Sequence, residues 1–216
     1  MFPELTHDDV FRIETRRLWL RWPRAADGPA ILRHAGERAV AEMTARIPHP
    51  LKSAAVETFV LDTRRANAEG RGLTMAVTPR AEPAGVVGFV AITPDAEGRA
   101  ALGYWMAVPA WGQGLATEAG RAMIDAFFAY TDGREILASA RVVNPASRRV
   151  LEKCGFAYAG SGLRAMPARG GVFPVDEFRL DRRAWESLKA WRASGLVIER
   201  GRGGGSGEDA PAPCHA

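Results

Sequence analysis

The sequence predicts an α/β (α+β) domain with a central, mostly antiparallel mixed sheet flanked by helices. Strand-like alternation opens the folded part at Arg17–Trp22. Short β-rich runs divided by turn residues follow between Leu73 and Val108. A strongly helical stretch, Ala116 to Tyr130, then leaves the last of these runs through a loop containing Gly112 and Gly114. The 216 residues suit one good-sized domain with a tail. With 47% hydrophobic and 25% charged residues the chain can bury a substantial core. That composition excludes wholesale disorder, collagen-like repeats and a disulfide scaffold.

In the first strand Leu18 and Leu20 share one face, and Arg17, Trp19 and Arg21 share the other. Period-two alternation of this kind marks a half-buried strand. Pro23 ends it, and Asp27 is placed to cap a helix running through Ile31, Leu32 and Ala35 to about Met43. Ile47-Pro48-His49-Pro50 breaks helix twice. Ser53 starts a second helix with Val56, Phe59, Val60 and Thr63 on one side. Leu73–Thr78, Gly85–Ile92 and Arg99–Val108 read as an antiparallel meander, punctuated by Pro79 to Pro83 and by Pro94, Asp95 and Gly98.

After the helix carrying Met123, Phe127 and Tyr130, Glu135–Val142 reads as a further strand. A shorter helix follows, with Asn144 suited to its N-cap, Pro145 to its first position and Gly155 to its C′ position. Strands near Phe156–Ala159 and Val172–Leu180 come next, and Asp181 begins a terminal helix with Trp185, Leu188 and Trp191. Residues 1–12 are expected as an N-terminal extension and 13–200 as the folded domain with its C-terminal helix. Residues 201–216, GRGGGSGEDAPAPCHA, are expected as a disordered tail, too poor in apolar groups to offset their ordering entropy.

Twenty-nine basic against 25 acidic residues give a net charge of +4. The surplus is scattered in pairs such as Arg16–Arg17 and Arg148–Arg149, so a nucleic-acid partner is not expected. The longest apolar stretch, Ala84 to Ile92, falls far short of the ~20 residues of a spanning helix. The opening MFPELTHDDVF lacks the pattern of a signal peptide, and the cytoplasm is the expected compartment. The two cysteines, Cys154 and Cys214, lie in separate contexts and suggest neither a disulfide nor a metal site.

The junction after Val108 carries the chemical signal. Gly112 and Gly114 allow successive backbone N–H groups to converge where a helix begins, and the helix end adds partial positive charge. Such a corner is either a phosphate cradle or simply a tight turn. It is not a P-loop, since no Lys-Ser/Thr follows, and Thr117 stands where a GxGxxG pattern needs its third glycine. Downstream, capping accounts for Asn144 and Pro145 but does not require Ser147, whose hydroxyl falls in the first helical turn beside the preceding strand end.

Leu102-Gly103-Tyr104-Trp105-Met106, followed by Trp111-Gly112-Gln113-Gly114-Leu115-Ala116-Thr117-Glu118-Ala119, resembles motif A of the GNAT superfamily of N-acetyltransferases. Gly114 and Ala116 take its last two defined positions. Asn144-x-x-Ser147 and Glu152-Lys153-Cys154-Gly155-Phe156 resemble motif B. Glu14-Thr15-Arg16-Arg17-Leu18 and Ile47-Pro48-His49-Pro50 are similar to phrases of the ribosomal-protein N-terminal acetyltransferase subgroup. The resemblance spans roughly Ile13 to Asp181.

The resemblance implies a GNAT-type fold and acetyl-CoA as donor, with a primary amine attacking the thioester directly. It implies the pyrophosphate on the N–H groups of Gly112, Gln113, Gly114, Leu115, Ala116 and Thr117. The pantetheine arm would pair with the backbone of Met106, Ala107 and Val108 and with Asn144. Amides around Met106 and Ala107 would polarise the carbonyl, and Ser147 would be the catalytic donor to the departing thiolate. Trp111 either shields the cofactor or packs.

Two positions depart from the family pattern: Leu151 where many members carry tyrosine, and Ala101 where related sequences carry glutamate. Glu97 and Glu118 read as structural acids and His49 as a loop residue, so no base is assigned. An α-amine, about a tenth neutral at pH 7, needs the least help. A protein N-terminus and a small amine are both open as acceptors, and a catalytically silent acyl-CoA-binding module is the competing class. Arg46–Lys52 and Gly160–Val172 are the expected acceptor loops. No metal is implied, and oligomeric state leaves no signal.

Overall fold

The computed structural model describes residues 11–193. The expectations for residues 1–10 of the extension, for the tail and for Cys214 lie outside them. The strands are β1 (Arg12–Glu14), β2 (Leu18–Arg21), β3 (Leu73–Pro79), β4 (Gly88–Pro94), β5 (Ala100–Met106), β6 (Glu135–Arg141), β7 (Ala157–Met166) and β8 (Gly171–Asp181). The helices are α1 (Gly28–Ala35), α2 (Arg38–Ala41), α3 (Ser53–Ala68), α4 (Leu115–Tyr130), α5 (Pro145–Cys154) and α6 (Arg182–Ala193). One sheet holds all eight strands in the order β1-β2-β3-β4-β5-β6-β8-β7. Every neighbouring pair is antiparallel except β5 and β6.

Alternation along the strands feeds two cores. Leu18, Leu20, Met75, Val90, Ile92, Leu102, Ile136 and Phe178 point to one face, where Met123, Ile124 and Phe127 of α4, Leu151 of α5 and Trp185 of α6 cover them. Ala76 and Phe89 point to the other face, against Ile31 and Ala35 of α1 and Val56 and Val60 of α3. Phe89 stacks on Trp105 with ring centroids 5.6 Å apart, so Trp105 lies on this second face. The meander, the long helix, β6 and the capped α5 agree with expectation.

Three expectations are corrected. The helix after Asp27 is interrupted: α1 stops at Ala35 and α2 begins at Arg38. Asp27 precedes α1 but its carboxylate makes no capping hydrogen bond to that helix. Instead it accepts from Arg21 Nη1 and Nη2 at 2.8 and 2.7 Å and from the Arg24 amide, a buried pair rather than a helix cap. The strand expected at Phe156–Ala159 runs on to Met166, because β8 offers it a continuous antiparallel partner. Most of the expected loop Gly160–Val172 is therefore hairpin, with a short helical turn at Pro167–Arg169.

Candidate active site

β5 and β6 pair only at Ala101–Leu137 and Leu102–Ala138. Beyond these residues β5 continues to Met106 held by β4, and β6 continues to Arg141 held by β8. The two inner edges diverge and leave a gap in the middle of the sheet. The Ala107 amide donates to Val87 O at 2.8 Å, on the β4 side. By the alternation of an antiparallel ladder, Tyr104 and Met106 turn their backbone groups toward the gap. Of the two amides expected to polarise a carbonyl, Met106's faces the gap and Ala107's is engaged elsewhere.

Three carbonyls expected along the pantetheine arm already have internal partners. Met106 O accepts from Trp111 Nε1 at 2.8 Å, Ala107 O from the Ala110 amide at 2.9 Å, and Val108 O from the Trp111 amide at 3.1 Å. Trp111 is 48% exposed, so its indole braces the end of β5 while its ring stays at the surface.

The chain then passes through Gly112 and Gly114, both at φ +74°, into α4. Positive φ is cheap for glycine and strained for other residues. A Cβ at Gly112 would meet nothing within 4 Å, and one at Gly114 only Arg17 Nη2 at 3.7 Å. The space over this corner is open. The amides of Leu115, Ala116 and Thr117 begin α4, where no preceding turn supplies acceptors. The Gln113 carbonyl takes a hydrogen bond from Arg17 Nη1 at 3.0 Å.

Glu118 is structural, as expected from its place near the helix start. It accepts from Thr15 Oγ1 at 2.7 Å, from the Arg17 amide at 2.9 Å and from Arg17 Nε at 2.7 Å. Partial burial pushes its carboxyl up, but these hydrogen bonds and the Arg17 charge outweigh burial and hold it below the usual carboxylate range. Cys154 is buried, with its thiol directed at Thr117 O.

Across the gap, Asn144 caps α5 by accepting from the Ser147 amide at 3.0 Å. The Ser147 hydroxyl meets a residue that sequence reasoning did not single out, Tyr104. The phenol oxygen lies 2.8 Å from Ser147 Oγ and 3.1 Å from Ser147 O. Burial pushes the Tyr104 phenol well above its ordinary value, against the opposing effect of Ser147, with Cys154 adding to the rise. The phenol therefore keeps its proton and serves as a donor. In the sequence Tyr104 stands out only as part of the run Leu102–Met106. The available signal was its position three residues past Ala101 on the strand leading into the glycine corner.

On the opposite face, the two expected acceptor segments do meet. Arg169 donates to Ile47 O, the Ala168 amide to Ala45 O, and Arg141 to Glu42 O. Ser139 and Glu177 are paired in register on the same face as Arg141, and Glu177 is held by Arg164 at 3.1 Å. His49 Nδ1 lies 3.0 Å from Gly36 O at the surface. No group of three or more His, Cys, Asp or Glu suited to a metal occurs among the described residues.

Comparisons with known proteins agree with this geometry. Residues 17–157 match the family model described as Acetyltransferase (GNAT) domain. The Bacillus subtilis (strain 168) protein named "Putative ribosomal N-acetyltransferase YdaF" is 27% identical over 133 residues, 62% of this chain and 72% of that protein. The structure of a GNAT-family acetyltransferase from Bacillus anthracis superposes with a TM-score of 0.69 at 18% identity, over 80% of this chain and 99% of its own. Mycobacterium smegmatis RimJ, solved in complex with CoA-disulfide, gives 0.66 at 23% identity, over 81% of this chain and 90% of its own. The chain belongs to the GNAT acetyltransferases.

Proposed function

We propose that the protein transfers acetyl from acetyl-CoA to a primary amine, with the α-amine of a protein N-terminus as acceptor. The observation behind this is the gap between β5 and β6, with Met106 and Ser147 on its walls and the open glycine corner following directly from β5. An extended pantetheine chain has the length and polarity to lie along such an unpaired strand edge, as in strand addition. The corner at Gly112 and Gly114, where only the Arg17 guanidinium comes within 4 Å of a built Cβ, fits a pyrophosphate approaching the backbone. Similarity to a protein named as a ribosomal N-acetyltransferase supports the choice of acceptor.

Acetyl-CoA, when bound, supplies an acyl group already activated as a thioester. The chain's own groups supply placement and charge. Amides of Gly112 to Thr117 bind phosphate oxygens, and the backbone of Tyr104 and Met106 together with Asn144 orients the arm. The Met106 N–H polarises the carbonyl that the neutral amine attacks. Ser147 donates a hydrogen bond to the sulfur as the C–S bond breaks. Holding both reactants in one cleft contributes much of the acceleration. No side chain is assigned as base, since an α-amine is about a tenth neutral at pH 7.

The test is thiol release from acetyl-CoA with peptides bearing free α-amines, N-terminally blocked peptides containing lysine, and small amines. Release confined to free α-amines is the expected result. Turnover with small amines alone would move the acceptor to another class. Tight binding of acetyl-CoA with no turnover on any amine would make the protein a silent acyl-CoA-binding module.

A further inference from the structure

Among the described residues, the hydrogen-bond partner of the Ser147 hydroxyl is Tyr104, brought from β5 to the first turn of α5 across 43 positions of sequence. The two hydroxyls and the Ser147 carbonyl allow two arrangements. In one, the phenol donates to the carbonyl and the serine hydrogen is spent on the phenol oxygen. In the other, the phenol donates to Ser147 Oγ and the serine hydrogen is free for a ligand. A phenol is the more acidic hydroxyl and an alkyl hydroxyl the better acceptor, so the second arrangement matches donor to acceptor. It also polarises the serine O–H, because hydrogen bonds in a chain strengthen one another.

We infer that Tyr104 is a positioning residue for the leaving group. Its phenol donates to Ser147 Oγ, and so aims and strengthens the serine hydroxyl as a hydrogen-bond donor to the coenzyme A sulfur. The inference rests on the acetyl-CoA function proposed above. In the step it assists, the amine nitrogen bonds the carbonyl carbon, the C–S bond breaks and its electron pair stays on sulfur. The proton that finally neutralises the thiolate is the one released by the amine, passed through water. Neither Tyr104 nor Ser147 loses a proton, consistent with the burial that keeps the phenol neutral. The ring packs against the main core, so Tyr104→Phe keeps the packing and removes only the oxygen.

The experiment uses free coenzyme A as the probe. Its bound thiol is titrated by ultraviolet thiolate absorbance, after subtraction of the protein alone, in the native protein, Tyr104→Phe, Ser147→Ala and the double variant. The expected result is that Tyr104→Phe weakens stabilisation of the bound thiolate about tenfold, one pH unit in its titration. Ser147→Ala does at least as much, and the double variant matches Ser147→Ala alone. Acetyl transfer follows the same pattern: kcat falls in Tyr104→Phe while KM for acetyl-CoA stays within about twofold, and the loss vanishes in the Ser147→Ala background. A packing role would lower kcat equally in both backgrounds, and the double-mutant cycle separates the two.

An unshifted thiol titration in Tyr104→Phe, or an equal shift in both backgrounds, overturns the inference while leaving the acetyl-CoA function standing. Failure of the native protein to bind coenzyme A in calorimetry, or to transfer acetyl to any amine, overturns that function and the inference with it.

Discussion

Arg17 and Glu118 stand 101 positions apart in sequence and meet through Nε and Oε2 at 2.7 Å. The same guanidinium holds the Gln113 carbonyl, so one side chain grips the chain on both sides of Gly114. The approach to β2 is thereby coupled to the glycine corner at the start of α4.

Glu118→Gln keeps the size of the side chain and removes its charge. A carboxyl held low in the folded state stabilises above its unfolded pKa, and that contribution is lost as pH falls through the folded value. The variant is expected to lose about 1–2 kcal/mol at neutral pH. The gap from the native protein should begin to narrow below about pH 4, the unfolded carboxyl's range. It should keep narrowing as pH falls toward the lower folded value. Denaturant unfolding at pH 7 and at pH 3 measures both, and a gap independent of pH would contradict the ion pair's role.

Gly114→Val should weaken acetyl-CoA binding at least tenfold, about 1.4 kcal/mol. No protein atom lies closer than 3.7 Å to the new Cβ, so the cost comes from the positive φ and from filling the approach to the backbone. Unchanged calorimetric affinity in a folded variant would remove the corner from the binding site.

Asn144 and Ser147 should separate cleanly. Asn144→Ala removes the side-chain cap and should cost roughly 0.5–2 kcal/mol of stability. Ser147→Ala leaves that cap in place and should lower kcat on the order of tenfold to a thousandfold, with little change in melting temperature. Full kcat in Ser147→Ala would leave water or a backbone group as the donor.

Asp27→Ala distinguishes a buried ion pair from a helix cap. Loss of a cap alone costs typically ~1 kcal/mol. Stranding the Arg21 guanidinium, which is 7% exposed, should cost about 3–5 kcal/mol. Equilibrium unfolding decides between them. Turnover at low temperature should be unaffected.

Much of this architecture was legible because local chemistry and tertiary structure agree. Asn144, Pro145 and Gly155 mark both ends of α5, and the turn residues between Leu73 and Val108 divide the meander where the strands end. Other features depended on partners distant in sequence. Gly160, Ser161 and Gly162 are poor strand formers, yet β8 recruits them into β7. Asp27 has the composition of a cap and the neighbours of an ion-pair acid. Tyr104 follows the same alternation as its core neighbours and becomes distinctive only because Ser147 stands opposite. The separation of β5 from β6 has no local signature, since it is the absence of pairing between two well-formed strands.

That separation divides the molecule mechanically. Among the described residues, no ladder other than Ala101–Leu137 and Leu102–Ala138 joins the block from β1 to β5 to the block of β6, β8 and β7. The described helices α4 and α5, packed in the shared core, bridge the seam from one side. A sheet normally transmits order sideways through its hydrogen bonds, and here that transmission narrows to a short stitch. Any ligand seated along the seam acts as a missing strand and adds its binding free energy to the cohesion of the two blocks. Occupancy and cooperativity of unfolding are thus two readings of one quantity.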